Sequence, residues 1–384
     1  MRRRGYRSIP LLLLSILVGS CHAPEGAQLP EDPRERYALR TLGELEYPAD
    51  NPKNKNRFVL GWRLFYDPIL SATKDVACGT CHHAKFAMAD GRALSLGVHS
   101  TGLGPGRTSA GSIDHETARN SPSIVNAGYI REASGHSPLF WDGRARSLEE
   151  QSLFPIRDPN EMLGDEISPL FAIDSVIARL RSIKLYEIYF REAFVAEADS
   201  VAKGLLPSTI TASTLARALA SFQREVVSKN SRYDQFVKRQ IEFTPEETQG
   251  LEIFFGKAGC GGCHSGPMFS DFRLYGQGVG STADRGAGNH RFRTPSLRNL
   301  ETTAPYMHDG TFKTIDDVIE YYDRGIALNP QLPKSSIDPR FRPLGLTDAE
   351  KRALKAFLLT LRDDSWEDFA VPPSVVPSNL DVPR

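Results

Sequence analysis

Two pentapeptides of the 384-residue sequence could each carry a redox centre: Cys78-Gly79-Thr80-Cys81-His82 and Cys260-Gly261-Gly262-Cys263-His264. Cys-x-x-Cys-His is the attachment site of a c-type haem, in which two thioethers form to the vinyl groups and the histidine binds iron. A zinc knuckle would need a further Cys pair to complete a four-thiolate site. The chain has five cysteines, and the fifth, Cys21, closes the run Val18-Gly19-Ser20-Cys21, so none remains for a disulfide.

The two motifs have matching surroundings. Gly61 is followed at four and five residues by Phe65 and Tyr66, and Gly250 at the same distances by Phe254 and Phe255. The stretch 122–126 matches 295–299, and 141–150 matches 308–317 without a gap. Four elements in one order indicate a tandem pair of cytochrome c domains. One position inside the repeat differs in kind. Fourteen residues beyond Trp141 stands Pro155, and fourteen beyond His308 stands Tyr322. Both are expected on helices, capped by Ser147 and Thr314. With that helix over the open side of each haem, Tyr322 offers a phenolate and Pro155 offers nothing. Residue type alone reads Tyr322 as a core aromatic beside Tyr321; the repeat favours ligation. Two unlike irons are then expected: the first held by His82 alone and open to a peroxide, the second held by His264 and Tyr322 and suited to passing electrons.

The elements that must position these groups read as mostly helical, with few alternating segments. Residues 1–20 read as a lipoprotein signal segment, with Arg2, Arg3, Arg4 and Arg7 ahead of an apolar core too short to span a bilayer. Cleavage there would leave a lipidated Cys21, export to the periplasm and an anchor on the outer membrane. Export also suits haem attachment. The whole chain balances 47 basic against 47 acidic residues, so no nucleic-acid partner is implied. Residues 21–57 read as a tether, 58–230 as the first domain, 230–243 as a link, 240–366 as the second domain and 367–384 as a Pro-rich surface tail. A helix ends near Asp67, the Gly-rich stretch 97–112 reads as a mobile loop, and 175–194 reads as helical. Thr244 with Glu247, and Thr347 with Glu350, look like capping boxes.

Over residues 58–365 these motifs resemble the bacterial dihaem cytochrome c peroxidase and MauG family. The resemblance implies that the amino-terminal haem is the peroxide site and that Trp141 lies between the haems. It implies a distal pocket lined by Gln151 and Glu161. It also implies a calcium ion between the domains, taken by the Asn120 side chain and the backbone carbonyls of Thr303 and Pro305. Peroxide cleavage needs a group that moves a proton from one oxygen to the other, which a pocket carboxyl such as Glu161 can do; Gln151 could hold the peroxide by hydrogen bonds. Many members carry a Met where Tyr322 stands, and the Tyr is the MauG-like choice. An anionic oxygen ligand favours ferric iron and lowers its potential. Met307 falls at the wrong place in the repeat, and Met268 is further from it. His99, seventeen residues after His82, lies near where some members carry a His that blocks the first haem until reduction. His83, His115 and His136 are weaker candidates.

Three functions are compatible with these residues. The leading one is reduction of hydrogen peroxide to water with electrons from a small c-type cytochrome or cupredoxin. The second is MauG-like oxidation of residues in a partner protein. The third, of another class, is a non-catalytic dihaem electron carrier, which would need neither an open iron nor Gln151 and Glu161. The chain is expected as a monomer or a homodimer.

Overall fold

The computed structural model describes residues 30–383 except 111–114, 132–134 and 136–137. The signal segment, the lipidation site Cys21 and His136 therefore lie outside the described residues. The fold is mostly α, and among the described residues strand is confined to two two-residue hairpins.

Each half is built on one crossed pair of helices. Lys55–Phe65 packs on Ala212–Glu225 in the first half, and Pro245–Phe255 on Asp348–Leu359 in the second. Glycines fix both crossings. A Cβ on Gly61 would stand 1.9 Å from the Ala218 carbonyl oxygen, and one on Gly250 1.9 Å from that of Ala353. The next neighbour is a buried phenylalanine in both cases, Phe222 or Phe357. Thr244, Thr314 and Thr347 each accept a bond from the third helical N–H, and Glu247, Asp317 and Glu350 return it, so the cap chemistry legible in sequence starts these helices.

The segment 175–194 is helical as expected, in the two helices Ala172–Arg181 and Lys184–Ala193, but several other expectations need correction. The Ser147-capped helix is a single turn, Leu148–Gln151, so Pro155 does not lie on it. Pro155 instead opens a 3-10 turn, Pro155–Arg157, followed by a π-helical turn, Pro159–Leu163. A proline lacks the N–H to continue the ladder and restricts the residue before it. Its counterpart in the second half runs unbroken over Ile315–Arg324. The Gly-rich stretch is not a free loop: Ser100–Thr101 pairs with Thr108–Ser109, and buried Arg107 donates to Ser100 Oγ at 2.9 Å and Gly97 O at 3.2 Å. The link contains a helix, Arg232–Val237, whose Asp234 grips Arg298 with two bonds of 2.9 Å.

The ends are crossed. Residues read as a tether are laid on the second half: Tyr37 stacks on Phe255 with centroids 4.9 Å apart, and Arg34 sits 3.8 Å over the Phe236 ring. The carboxy-terminal tail returns to the first half instead of skimming the surface. Trp366 is 1% exposed within the first core, Tyr66 donates to Ala370 O at 2.5 Å, and Trp62 Nε1 donates to Val371 O at 2.8 Å. Trp366→Ala is expected to destabilise the protein by about 3–5 kcal/mol, the usual range for a buried Trp, as measured by chemical denaturation.

Candidate functional site: two haem centres and their interface

Cys78–Cys81 forms one helical turn that ends at His82, and Cys260–Gly262 a 3-10 turn just before Cys263 and His264. Gly79 lies against the Tyr66 ring and Gly261 against the Phe255 ring, where a Cβ would fall 2.3 Å and 2.4 Å from a ring atom. None of the four cysteines is in a disulfide. His82 Nδ1 is 3.1 Å from Met88 O, and His264 Nδ1 is 2.9 Å from Phe269 O. A carbonyl can only accept, so each Nδ1 carries the proton and each Nε2 keeps its lone pair. Burial pulls the His82 pKa down to about 4 and lowers that of His264. Both rings are neutral, the form that binds metal.

Cys260, Cys263, His264 and Tyr322 border one cavity of about 320 Å³, within the range of cofactor pockets. Its wall also includes Met268, Met307 and Phe341. The Tyr322 hydroxyl has no hydrogen-bond partner among the described residues, and burial raises its pKa. A phenol in that setting stays protonated unless a cation takes the oxygen, as ferric iron would. The cavity and its donor set fit a haem, for which His264 and Tyr322 would be the available iron-binding side chains.

Around the first motif, Glu161 sits on the π-helical turn, tied by Val98 N–H to Glu161 O at 2.9 Å. Burial raises the Cys78 and Cys81 thiols, and the Glu161 carboxyl adds a smaller push to both. Burial, aided by Asp158 and opposed by Arg144, pushes the Glu161 pKa up to about 7. Gln151 ends its short helix, and its side-chain amide has no partner among the described residues. Arg107 Nη1 donates to Cys81 Sγ at 3.0 Å. His99 is engaged elsewhere: its Nε2 meets Glu166 at 2.7 Å, on a side chain 40% exposed. His83 is buried and His115 lies 5.5 Å from the His99 ring.

The halves meet through repeat-equivalent residues. Asn120 N–H donates to His308 O and Arg293 N–H to Trp141 O, both at 2.7 Å. In the repeat Asn120 corresponds to Arg293 and Trp141 to His308, so the two bonds are one contact used in opposite senses. Trp141 packs edge-on to His308 at 6.5 Å, donates from Nε1 to Asn120 O at 2.8 Å, and borders the second-haem cavity. Arg119 clamps the seam, reaching Asp142 at 2.7 Å and Asp284 at 2.7 Å. The Asn120 amide nitrogen donates to Arg92 O at 2.7 Å. Its Oδ1 and the carbonyl oxygens of Thr303 and Pro305 accept no hydrogen bond among the described residues, and all three residues border the cavity. Uncommitted oxygens of this kind suit calcium.

Arg119, Arg144, Arg293 and His308 were not singled out as site residues in the sequence. For Arg293 and His308 the repeat alignment held a usable signal, since they are the repeat counterparts of Asn120 and Trp141.

Comparison with known proteins agrees with this arrangement. A family model described as di-haem cytochrome c peroxidase matches residues 55–242. The methylamine utilization protein MauG of Methylorubrum extorquens is 31% identical, covering 84% of this chain and 83% of that one. The cytochrome c551 peroxidase of Nitrosomonas europaea is 28% identical, covering 98% of both. A crystal structure of a MauG-like protein associated with microbial copper homeostasis superposes with a TM-score of 0.71 at 30% identity, covering 87% of this chain and 97% of that one. No helix among the described residues is long and apolar enough to cross a membrane. The chain belongs to the di-haem cytochrome c peroxidase and MauG family, whose members are c-type haem oxidoreductases acting on peroxide.

Proposed function

We propose that the protein is a periplasmic peroxidase that reduces hydrogen peroxide at the first centre, consuming two electrons and two protons to give two waters. The observation that carries this reading is Glu161: a carboxyl buried beside Cys78 and Cys81 whose pKa is pushed up to about 7. Bound at these motifs, haem supplies the iron that breaks the O–O bond and the redox states that hold the electrons. Glu161 takes the proton from one peroxide oxygen and returns it to the other, for which a pKa near the working pH is best. Gln151, with a free amide, orients the peroxide by hydrogen bonds. His82, its tautomer fixed by Met88 O, would hold the iron. Electrons enter from a small c-type cytochrome or cupredoxin and cross by way of Trp141, which touches the second-haem cavity and is held by the Arg119 clamp.

A second reading is favoured by Tyr322, the unpartnered phenol in the second cavity, and by the likeness to MauG. As a phenolate ligand with His264 it lowers the potential of that centre, and suits oxidation of residues in a partner protein at a distance. Steady-state turnover of peroxide with a reduced small cytochrome separates the two. Fast turnover supports the first reading, while negligible turnover with a peroxide-dependent change in a partner protein overturns it. Tyr322→Phe is expected to abolish the low-spin EPR signal of the second haem and leave the first unchanged; an unaltered spectrum removes Tyr322 from the ligand set.

We also propose calcium on Asn120 Oδ1 and the Thr303 and Pro305 carbonyls. The amino-terminal segment is proposed to direct export and lipidation at Cys21, placing the protein on the periplasmic face of the outer membrane.

A further inference from the structure

Arg293 is a buried cation for which the chain provides no anion. It is 5% exposed, and its Nε and Nη1 are spent on the carbonyls of Phe140 at 3.1 Å and Thr294 at 3.3 Å. Among the described residues no carboxylate pairs with it, and its Nη2 has no partner. The contrast with Arg298 is direct, because that buried guanidinium has both oxygens of Asp234. Asp338, the acid bordering the same cavity, is already held by Arg340 at 2.8 Å. An unpaired charge in a protein interior costs several kcal/mol, which a ligand carboxylate would offset. Burial pulls the Arg293 pKa down to about 10, which still leaves it charged at neutral pH.

The residue borders the cavity that also touches Cys260, His264, Tyr322 and Trp141. A haem brings two carboxylates of its own. We infer that Arg293 is the anion-binding residue of the second centre and pairs through its free Nη2 with a propionate carboxylate of that haem. Charge-assisted bonds from a guanidinium to a carboxylate are among the strong ones. The pairing does two things. It sets a fixed positive charge beside the second haem, favouring its reduced state. It also joins the cofactor to the Trp141 loop, since the Arg293 N–H and Nε bind the carbonyls of Trp141 and Phe140. The inference is independent of whether the electrons come from a small redox protein or from a partner protein that is itself oxidised.

The test is a redox titration of the di-haem protein, read optically over pH 5 to 8. In Arg293→Gln the midpoint potential of the second haem is expected to fall at pH 8. It should climb as pH falls, because a propionate that has lost its partner takes up a proton in this range; Arg293→Lys should stay near wild type. Unchanged potentials and pH dependence in R293Q, or a shift confined to the first haem, would overturn the inference. Should R293Q not accumulate with both haems, R293K decides by resonance Raman: displaced propionate bending bands support the pairing, and bands identical to wild type refute it.

Discussion

Glu161→Gln is expected to slow peroxide turnover by about 10²–10⁴-fold, the usual contribution of a positioned acid–base group, while both haem spectra stay as in wild type. Gln keeps the size of the side chain and removes only the exchangeable proton. The pH profile distinguishes this from damage to the fold. With the carboxyl pushed up to about 7 by burial and by Asp158, wild-type reactivity should fall as pH drops through about 7, where the base gains its proton. The variant should be flat there. Stability should move the other way. A carboxyl whose folded pKa lies above its unfolded value costs stability once pH exceeds the unfolded value, and the cost is complete above the folded pKa. E161Q is therefore expected to match wild type near pH 4 and to be the more stable protein at pH 8. Loss of activity with unchanged pH dependence of stability would remove Glu161 from the buried role assigned to it.

A large effect on stability is also expected at the second helix crossing. In Gly250→Ala the new Cβ would stand 1.9 Å from the Ala353 carbonyl oxygen and 2.8 Å from Phe357 Cβ. Backbone cannot yield as a flexible side chain can, so the Pro245–Phe255 and Asp348–Leu359 helices must separate. Overpacking of this kind costs about 1–3 kcal/mol and sometimes more, and a backbone contact belongs at the upper end. Because Phe254 and Phe357 pack together in that crossing, with ring centroids 5.2 Å apart, thermal unfolding followed at the second haem should drop first. Gly61→Ala, meeting Ala218 at the same 1.9 Å, should do the same to the first. Unaltered melting of either variant would mean that the crossings are looser than described.

What the sequence made legible follows from the range of each interaction. Capping boxes at Thr244, Thr314 and Thr347 are four-residue chemistry, so their helices begin where the pattern places them. Tyr322 became a candidate only through the repeat, which substitutes for a tertiary contact by comparing two copies of one fold. The Ser147 cap suggests a helix reaching Pro155, but a helix breaker lies eight residues on and the helix stops at Gln151. Arg107 was lost among glycines, though a buried guanidinium is what holds that stretch. Arg119 with Asp284, and Trp141 against His308, depend on how the halves dock, about which spacing along the chain carries no information.

The crossed ends bear on the order of assembly. With Tyr37 on Phe255 and Trp366 in the first core, each half borrows a piece made at the far end of the chain. Neither half is complete as an isolated module, and the first half has to wait for the last residues to emerge. Haem can therefore be stitched to Cys78 and Cys81 on an incomplete first half, before the tail closes over Tyr66 and seals the back of that motif. The same two laces, tied in opposite directions, resist rotation of one half against the other. That holds Trp141 at a fixed place against His308 in the seam between the halves.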